Sequence, residues 1–142
     1  MKLELDKLFN SYQIDWTSKC KELCLSWDDI KQLKNEELVT IGAHTKHHYN
    51  LKQLNSIEEV KNEIIEGNKR LHEKTGIAAK VFAYPFGTTN EVSKREPKIV
   101  SELDFNCACV AFGGPCTKQN KKDKFSLPRI MLLDNFKIGD LK

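Results

Sequence analysis

The stretch that decides the fold runs from residue 38 to residue 87 and reads LVTIGAHTKHHYNLKQLNSIEEVKNEIIEGNKRLHEKTGIAAKVFAYPFG. Its first seven residues, LVTIGAH, form an apolar run that predicts a short buried strand. A long helix is predicted over residues 55–76, because Ser56 and Glu59 form a capping-box pattern and Gly76 is a typical stop. AKVFAYPFG then predicts a second strand. Strand, helix and strand in this order are typical of a parallel α/β sheet.

The rest of the chain continues the alternation. The residues before position 26 have apolar positions at helical spacing, and SWDDIKQLKNEE opens with a second capping-box pattern, Ser26 and Asp29. A helix is predicted over residues 92–103, which Pro97 starts or interrupts. FNCACVAFGG predicts a third strand and FSLPRIMLL a fourth. With 142 residues, the chain is expected to form one α/β domain of mostly parallel strands with flanking helices.

Composition excludes several classes of function. The 23 basic and 20 acidic residues are interspersed and leave a net charge of +3, which is too small and too mixed to indicate a nucleic-acid-binding protein. No stretch approaches 18 consecutive apolar residues, so no membrane span is expected. The first residues lack the apolar core of a secretory signal, and the localisation stays unassigned.

The cysteines are expected to be reduced. Their odd number, in a chain with no visible export signal, argues against a disulfide framework. Zinc sites built from cysteine pairs usually show C-x-x-C spacing, which is absent, so we expect buried, small apolar side chains rather than metal ligands. The five cysteines are Cys20, Cys24, Cys107, Cys109 and Cys116.

Three of the four histidines lie within five residues, directly behind the first predicted strand. His44 and His48 are four apart, so one helical turn or tight loop would direct both imidazoles to the same point, whereas His47 would point elsewhere. Imidazole is the commonest protein ligand for transition metals. In parallel α/β folds the chemistry is found in loops at the carboxyl ends of strands. The pair therefore predicts a metal site at that edge of the sheet.

The motif IGAHTKHHYNL resembles the His-(Ser/Thr)-x-x-His motif of the polysaccharide deacetylase family, the carbohydrate esterases that include chitin deacetylase-like enzymes. The resemblance extends from about residue 25 to residue 133. FAYPFG is similar to the groove-forming motif of that family in its Phe-Ala-Tyr-Pro variant, and FSLPRIML to its closing strand. Two motifs at suitable separation are more specific than either alone.

This resemblance implies a partial or distorted (β/α) barrel that hydrolyses N- or O-acetyl groups on an acetylated polysaccharide or oligosaccharide. It assigns His44 and His48 as ligands of a divalent metal, usually zinc, and gives Thr45 the role of holding their loop in shape by a hydrogen bond. The substrate and oxyanion loop would be formed by Tyr84, Pro85, Phe86 and Gly87, with the backbone N–H of Phe86 as a donor. Members of the family often act at the cell envelope.

The chain also departs from the family pattern. No Thr-Phe-Asp-Asp motif, which provides the base and the third metal ligand, precedes His44. The adjacent acids Asp28 and Asp29 open a helix, where acids are expected for capping, and Asp15 is isolated. Ala83 replaces the arginine of the groove motif, and no histidine follows His72 to act as general acid. The catalytic residues therefore stay unassigned.

Three hypotheses follow from this comparison of motifs. The first is a deacetylase domain that lacks the amino-terminal segment of the family, binds its metal loosely through two protein ligands and is weak or inactive alone. Its missing first strand would leave an exposed sheet edge for self-association. The second is a non-catalytic carbohydrate-binding or interaction module derived from the same fold. The third is a small metal-binding protein that uses the histidines and cysteines.

Overall fold

The computed structural model describes residues 2–130, of which Lys2 is described by its backbone alone. The chain divides into two compact units, Met1–Val39 and Thr40–Lys142, which are described separately below. No helix within the described residues is long and apolar enough to cross a membrane.

The first unit consists of three short helices: α1 (Lys2–Ser11), α2 (Trp16–Leu23) and α3 (Trp27–Leu33). Asp15 begins α2 by accepting hydrogen bonds from the backbone N–H groups of Thr17 and Ser18. The predicted capping box of α3 is confirmed, since Ser26 and Asp29 each bond the backbone of the other. Capping, rather than burial, therefore defines where these helices start, and neither α2 nor α3 contains a buried residue.

The second unit alternates helices and strands. A short 3-10 helix (Leu51–Gln53) leads to α4 (Ile57–Thr75), β1 (Val81–Ala83) and α5 (Arg95–Ser101). β2 (Cys107–Gly113) follows, then a second 3-10 helix (Lys118–Asp123) and β3 (Leu127–Arg129). The three strands form one parallel sheet in the order β1-β2-β3. The mostly parallel α/β prediction is thus confirmed, but the sheet is small and open, and no closed barrel is present in the described residues.

Local signals explain α4. Ser56 accepts from the backbone N–H of Glu59, whose carboxylate accepts from the backbone N–H of Ser56. At the other end Gly76 takes the left-handed conformation, with φ of 70°. Glycine adopts this conformation without a steric penalty. The sequence predicted all three of these features correctly.

The prediction of a buried strand at residues 38–44 is wrong. Leu38 is 98% exposed, and Ala43 alone pairs, in an isolated parallel bridge with Phe82. The backbone N–H of Ala43 donates to the carbonyl oxygen of Val81, and the carbonyl oxygen of Ala43 accepts from the backbone N–H of Ala83. Apolar residues become a strand only where a neighbouring strand repeats this pairing, and here it stops after one residue.

The core of the second unit lies on one side of the sheet and against the buried faces of α4 and α5. It includes Val60 and Ile64 from α4, Phe82 and Tyr84 from β1 and the residue after it, and Val110 from β2. Phe82 and Tyr84 meet edge to face, with ring centroids 5.1 Å apart. Packing of this kind stabilises the unit and fixes the loop that follows β1.

Two other predictions need correction. None of the five cysteines is buried: Cys107 and Cys109 are half-buried on β2, and Cys20, Cys24 and Cys116 are exposed. All five are free thiols, as predicted. The predicted fourth strand corresponds to β3, and its last residues, 131–133, lie outside the described residues.

Candidate functional site

Two histidine rings meet at the end of the Ala43 bridge. The ring centroids of His44 and His48 are 4.8 Å apart, in an edge arrangement. Nδ1 of His44 lies 2.7 Å from the carbonyl oxygen of Ala83. A carbonyl only accepts hydrogen bonds, so Nδ1 carries the proton and Nε2 of the neutral ring keeps its lone pair. That is the tautomer in which an imidazole can bind a metal through Nε2.

An unusual backbone conformation brings the rings together. Thr45 and His48 have positive φ angles of 66° and 59°, a region that side-chain-bearing residues adopt rarely. The backbone N–H of His48 donates to Oγ1 of Thr45 over 3.1 Å. This is the hydrogen bond that the family resemblance implies for Thr45. We call residues 44–48 the histidine loop.

The histidine loop rests against α4. Nδ1 of His47 and its backbone N–H lie 2.7 and 3.0 Å from the two carboxylate oxygens of Glu63. The backbone N–H of Lys46 donates to the carbonyl oxygen of Glu63 over 3.0 Å. His47 also stacks on Tyr49, with centroids 5.2 Å apart. His47 is therefore engaged away from the His44–His48 pair.

The loop after β1 forms the other side of the site. Tyr84 is buried and its hydroxyl donates to the carbonyl oxygen of Phe125 over 2.7 Å. Burial raises the pKa of Tyr84 far above its usual value, with further upward contributions from Glu96 and Cys109. Phe86, by contrast, is 57% exposed, and its ring lies 4.8 Å from that of His48. Thus one aromatic residue anchors the loop and the other is open to solvent beside the histidines.

Tight turns fix the position of Phe86. Its φ of 60° and that of Gly87, 72°, place two consecutive residues in the left-handed region. The backbone N–H of Gly87 donates to the carbonyl oxygen of Pro85 over 2.6 Å, and Gly87 O accepts from Ala111 N over 2.7 Å. A Cβ on Gly87 would approach the backbone nitrogen of Ala111 to 3.0 Å. The loop therefore needs glycine here to stay against β2.

An open cleft of about 360 Å³ joins the two loops. Its lining consists of His44, Tyr84, Phe86, Ala111, Arg129 and Ile130. Arg129 is held by a hydrogen bond of 2.9 Å from Nε to the carbonyl oxygen of Val110. The cleft combines an aromatic face, the His44 ring and a fixed cation, which is the mixture of apolar walls and few polar groups found in small-molecule sites.

The cleft favours the neutral form of His44. Partial burial of the ring lowers the pKa of His44, although the residue as a whole is exposed. The hydrogen bond to Ala83 raises the pKa, while the charges of His48 and Arg129 lower it again, and the net direction is down. A neutral ring is the form that coordinates metal.

The histidine pair fits a transition metal as two of its ligands. Within residues 2–130 there is no group of three or more histidine, cysteine or acidic side chains placed to hold a metal ion. The acids that could stand in for the missing motif have other partners: Asp15 and Asp29 cap helices, and Asp28 pairs with Lys31 at 2.7 Å. The described part of the chain therefore places no third protein ligand beside the two histidines.

The structure thus brings His44, Tyr84 and Phe86 to one cleft, with Pro85 and Gly87 shaping the turn, and places the His48 ring against the rings of His44 and Phe86. Three residues that sequence reasoning did not identify also belong to this region: Glu63, Gly67 and Arg129. A glycine inside an otherwise regular helix costs about 1 kcal/mol relative to alanine. Gly67 in EIIEGNKRL was therefore a visible signal of a close approach to α4.

Comparisons with known proteins agree with the motifs. The family model described as polysaccharide deacetylase matches residues 8–107, a range that starts and ends earlier than residues 25–133, over which the motifs resemble the family. A search of curated protein sequences found no match.

Several solved structures share the fold. The Streptococcus pyogenes deacetylase PplD, solved in complex with acetate, superposes with a TM-score of 0.67 at 22% identity, over 78% of this chain and 46% of PplD. IcaB from Ammonifex degensii gives a TM-score of 0.66 at 18% identity, covering 78% of this chain and 48% of IcaB. BC0361, a polysaccharide deacetylase from Bacillus cereus, gives a TM-score of 0.62 at 21% identity, covering 75% of this chain and 32% of BC0361. The chain therefore spans about a third to a half of the length of these structures.

Proposed function

Because this chain belongs to the polysaccharide deacetylase family, we propose that its cleft binds an acetylated polysaccharide or oligosaccharide beside a divalent metal, zinc being the expected ion. The observation that carries the proposal is the convergence of His44, His48 and Phe86, whose rings are separated by 4.8 Å in each contact. His44 and the exposed Phe86 line the open cleft, and the His48 ring contacts both. The prediction that residues 1–142 form a single deacetylase-like domain stays a prediction.

The two histidines and the two aromatic residues have proposed roles. His44 and His48 would hold the metal, with the Ala83 carbonyl orienting the His44 ring. When bound, a divalent ion polarises an acetyl carbonyl and lowers the pKa of a bound water. Phe86 would offer its apolar face to the sugar ring and its backbone N–H to the carbonyl oxygen of the acetyl group, as in an oxyanion hole. Tyr84 supports this loop from beneath through Phe125.

We further propose that the isolated chain turns over little substrate. Positioned general-base catalysis is typically worth about 10²–10⁴-fold in rate, and Asp15, Asp28 and Asp29, the acids that could stand in for the missing motif, are engaged in helix capping or ion pairing. A metal with two protein ligands is also held weakly, because structural and catalytic zinc sites use three or four. Loose binding and slow release of acetate are therefore expected together.

Zinc titration of three variants tests the ligand assignment. Zinc binding is measured by isothermal titration calorimetry. We expect the unmodified chain to bind zinc weakly, and we expect His44→Ala and His48→Ala to bind none. In His47→Ala zinc binding should be weakened at most and not abolished, because the His47 ring bonds Glu63 at 2.7 Å and is not part of the pair. Equal losses in His44→Ala and His47→Ala would refute the assignment.

An assay for acetate release from acetylated chito-oligosaccharide separates the alternatives. Metal binding with weak turnover supports the deacetylase proposal. Sugar binding without metal binding or turnover supports a non-catalytic carbohydrate-binding module, a candidate favoured by the missing third ligand within residues 2–130. Tight metal binding without any sugar binding supports a small metal-binding protein. Robust metal-dependent turnover that is lost in His48→Ala would instead contradict the proposed weak activity.

Self-association is a further part of the proposal. Next to β1, pairing stops after the single bridge of Ala43 to Phe82, and the backbone groups left unpaired at a sheet edge can pair with another chain. We expect a concentration-dependent dimer in sedimentation velocity. A monomer at all accessible concentrations would contradict this proposal without affecting the metal site.

A further inference from the structure

The histidine loop is docked on α4 by contacts that do not involve the proposed ligands themselves. Glu63 receives three hydrogen bonds from the loop: two reach its carboxylate from His47 and one reaches its backbone carbonyl from Lys46. The Glu63 side chain is only 12% exposed, whereas that of His47 is 46% exposed. Charge-assisted hydrogen bonds to a nearly buried carboxylate are stronger than neutral ones at the surface.

Gly67 lies one turn further along α4, beneath the same loop. A Cβ at this position would lie 2.4 Å from the carbonyl carbon of Thr45 and 2.8 Å from the backbone nitrogen of Lys46. Both are backbone atoms, so the clash cannot be relieved by turning a side chain. The absence of a side chain at Gly67 therefore sets how closely the loop can approach the helix.

The docking coincides with the strained part of the loop. Thr45 and His48, at either side of the contact, have positive φ angles of 66° and 59°. Such conformations cost of order 1–3 kcal/mol each and persist where surrounding contacts hold them in place. Glu63 and Gly67 provide those contacts from a long capped helix, which is a rigid support.

We infer that Glu63 and Gly67 are positioning residues, which hold the histidine loop in the conformation that brings the rings of His44 and His48 together. The expected effect on metal affinity rests on the proposed function, since it takes these two histidines as the ligands. The expected effect on the distance between the two rings does not depend on the proposed function. Removal of groups that orient metal ligands typically reduces metal affinity by about 10–100-fold.

The test compares Glu63→Ala with Glu66→Ala, a matched control on the same helix whose carboxylate lies 3.9 Å from Lys69, both side chains being exposed. Nuclear Overhauser contacts between the rings of His44, His48 and Phe86 report the loop in the metal-free protein, and zinc titration reports affinity. In Glu63→Ala we expect these ring contacts to be lost and zinc affinity to fall about tenfold or more. The shifts of buried core methyl groups such as Val100 should be retained.

Two further variants complete the test. Glu63→Gln keeps one acceptor oxygen and should restore part of both signals, which a general loss of folding would not do. Gly67→Ala should weaken both signals although alanine favours a helix, with exposed Asn62→Ala as its control.

The outcomes separate this inference from the proposed function. Ring contacts and zinc affinity that are unchanged in both Glu63→Ala and Gly67→Ala, or that are lost equally in Glu66→Ala, would overturn the positioning role. If the unmodified chain binds no zinc, the proposed metal site fails, while the ring contacts in these variants still decide whether Glu63 and Gly67 position the loop.

Discussion

Replacement of the buried carboxylate of Glu96 should destabilise the unit that carries the cleft. Glu96 is wholly buried, and its Oε2 accepts hydrogen bonds of 2.7 Å from both the backbone N–H and the hydroxyl of Ser93. Its Oε1 accepts from Nε of Arg95 over 2.8 Å. The same guanidinium donates to the carbonyl oxygens of Leu51 and Leu54. Glu96 thus anchors α5 to the segment that follows the histidine loop.

In Glu96→Gln, the amide carbonyl can still accept from Ser93, but the NH₂ group then faces the Nε–H of Arg95, donor against donor. Hydrogen bonds to charged groups are worth about 1.5–3 kcal/mol, and breaking a buried ion pair costs about 3–5 kcal/mol. Because Arg95 is one-third exposed and can rehydrate, we expect a loss of about 2–3 kcal/mol in the free energy of unfolding. That is a large part of the roughly 5–15 kcal/mol available to a small domain.

The pH dependence provides an internal check. Burial raises the pKa of Glu96, but the hydrogen bonds from Ser93 and Arg95 outweigh it and leave the pKa below its ordinary value of 4.5. A carboxylate with a lowered folded-state pKa contributes stability above the unfolded-state value, and this stability is lost as the pH falls through the folded-state pKa. The difference between the unmodified protein and Glu96→Gln should therefore be full at pH 7 and shrink below about pH 4.5.

The assay must report the second unit. Both tryptophans, Trp16 and Trp27, lie in the first unit, so tryptophan fluorescence would follow the wrong part of the chain. Urea unfolding followed by the methyl signals of buried Val100, within α5, is suitable. The control is Glu102→Gln, just after α5, whose half-exposed carboxylate pairs with Lys61 over 2.9 Å. Ion pairs at the surface contribute little to stability, so this control should shift the midpoint much less than Glu96→Gln does. A Glu96→Gln midpoint equal to that of the control would refute the reasoning.

Three other predictions concern single groups. Tyr84→Phe should lower the free energy of unfolding by about 1 kcal/mol through loss of the hydrogen bond to Phe125, measured by the same urea titration. It should also remove the phenolate absorbance that appears at the highest pH in an alkaline titration; an unchanged alkaline titration would contradict the assignment. Because the pKa of His44 is lowered, its ring should protonate only below pH 6.5, the ordinary histidine value, in an NMR pH titration, and zinc affinity should fall as the pH drops through the histidine range; protonation of His44 at or above pH 6.5 would contradict the lowered pKa. Burial raises the pKa of Cys109, so a thiol reagent at pH 8 should modify the three exposed cysteines before Cys109; equal rates would contradict the half-buried position of β2.

Sequence reasoning succeeded where the determining contacts are local. The capping pair Ser56 and Glu59, and the left-handed Gly76, involve residues within a turn of one another, so their side chains alone specify where α4 begins and ends. The pairing of His44 with His48 is local in the same sense. The prediction that the next loop lies beside them followed from the parallel order of the strands, and the contact of His48 with Phe86 agrees with it.

Sequence reasoning failed where the structure depends on contacts between residues that are far apart in the sequence. Residues 38–44 have the composition of a strand, but only Ala43 finds a partner, 39 positions away in Phe82. The cysteines of β2 alternate as a strand requires, yet the face that carries them is half-open rather than buried. The contact between His47 and Glu63 joins residues 16 apart, and no periodicity in the sequence specifies which carboxylate on α4 a histidine will reach.

The distribution of unfavourable backbone conformations bears on whether the cleft is functional. Four non-glycine residues have positive φ angles among the described residues, and three of them, Thr45, His48 and Phe86, belong to the cleft and its two loops. At about 1–3 kcal/mol each, these conformations together approach the stability of a marginal domain. Strained backbone conformations of this kind cluster at active sites and ligand-binding sites, where the surrounding structure holds them in place. Glu63, Gly67 and the Thr45 hydrogen bond provide that support for the histidine loop, so the grouping of the strained residues is typical of a site that binds a ligand.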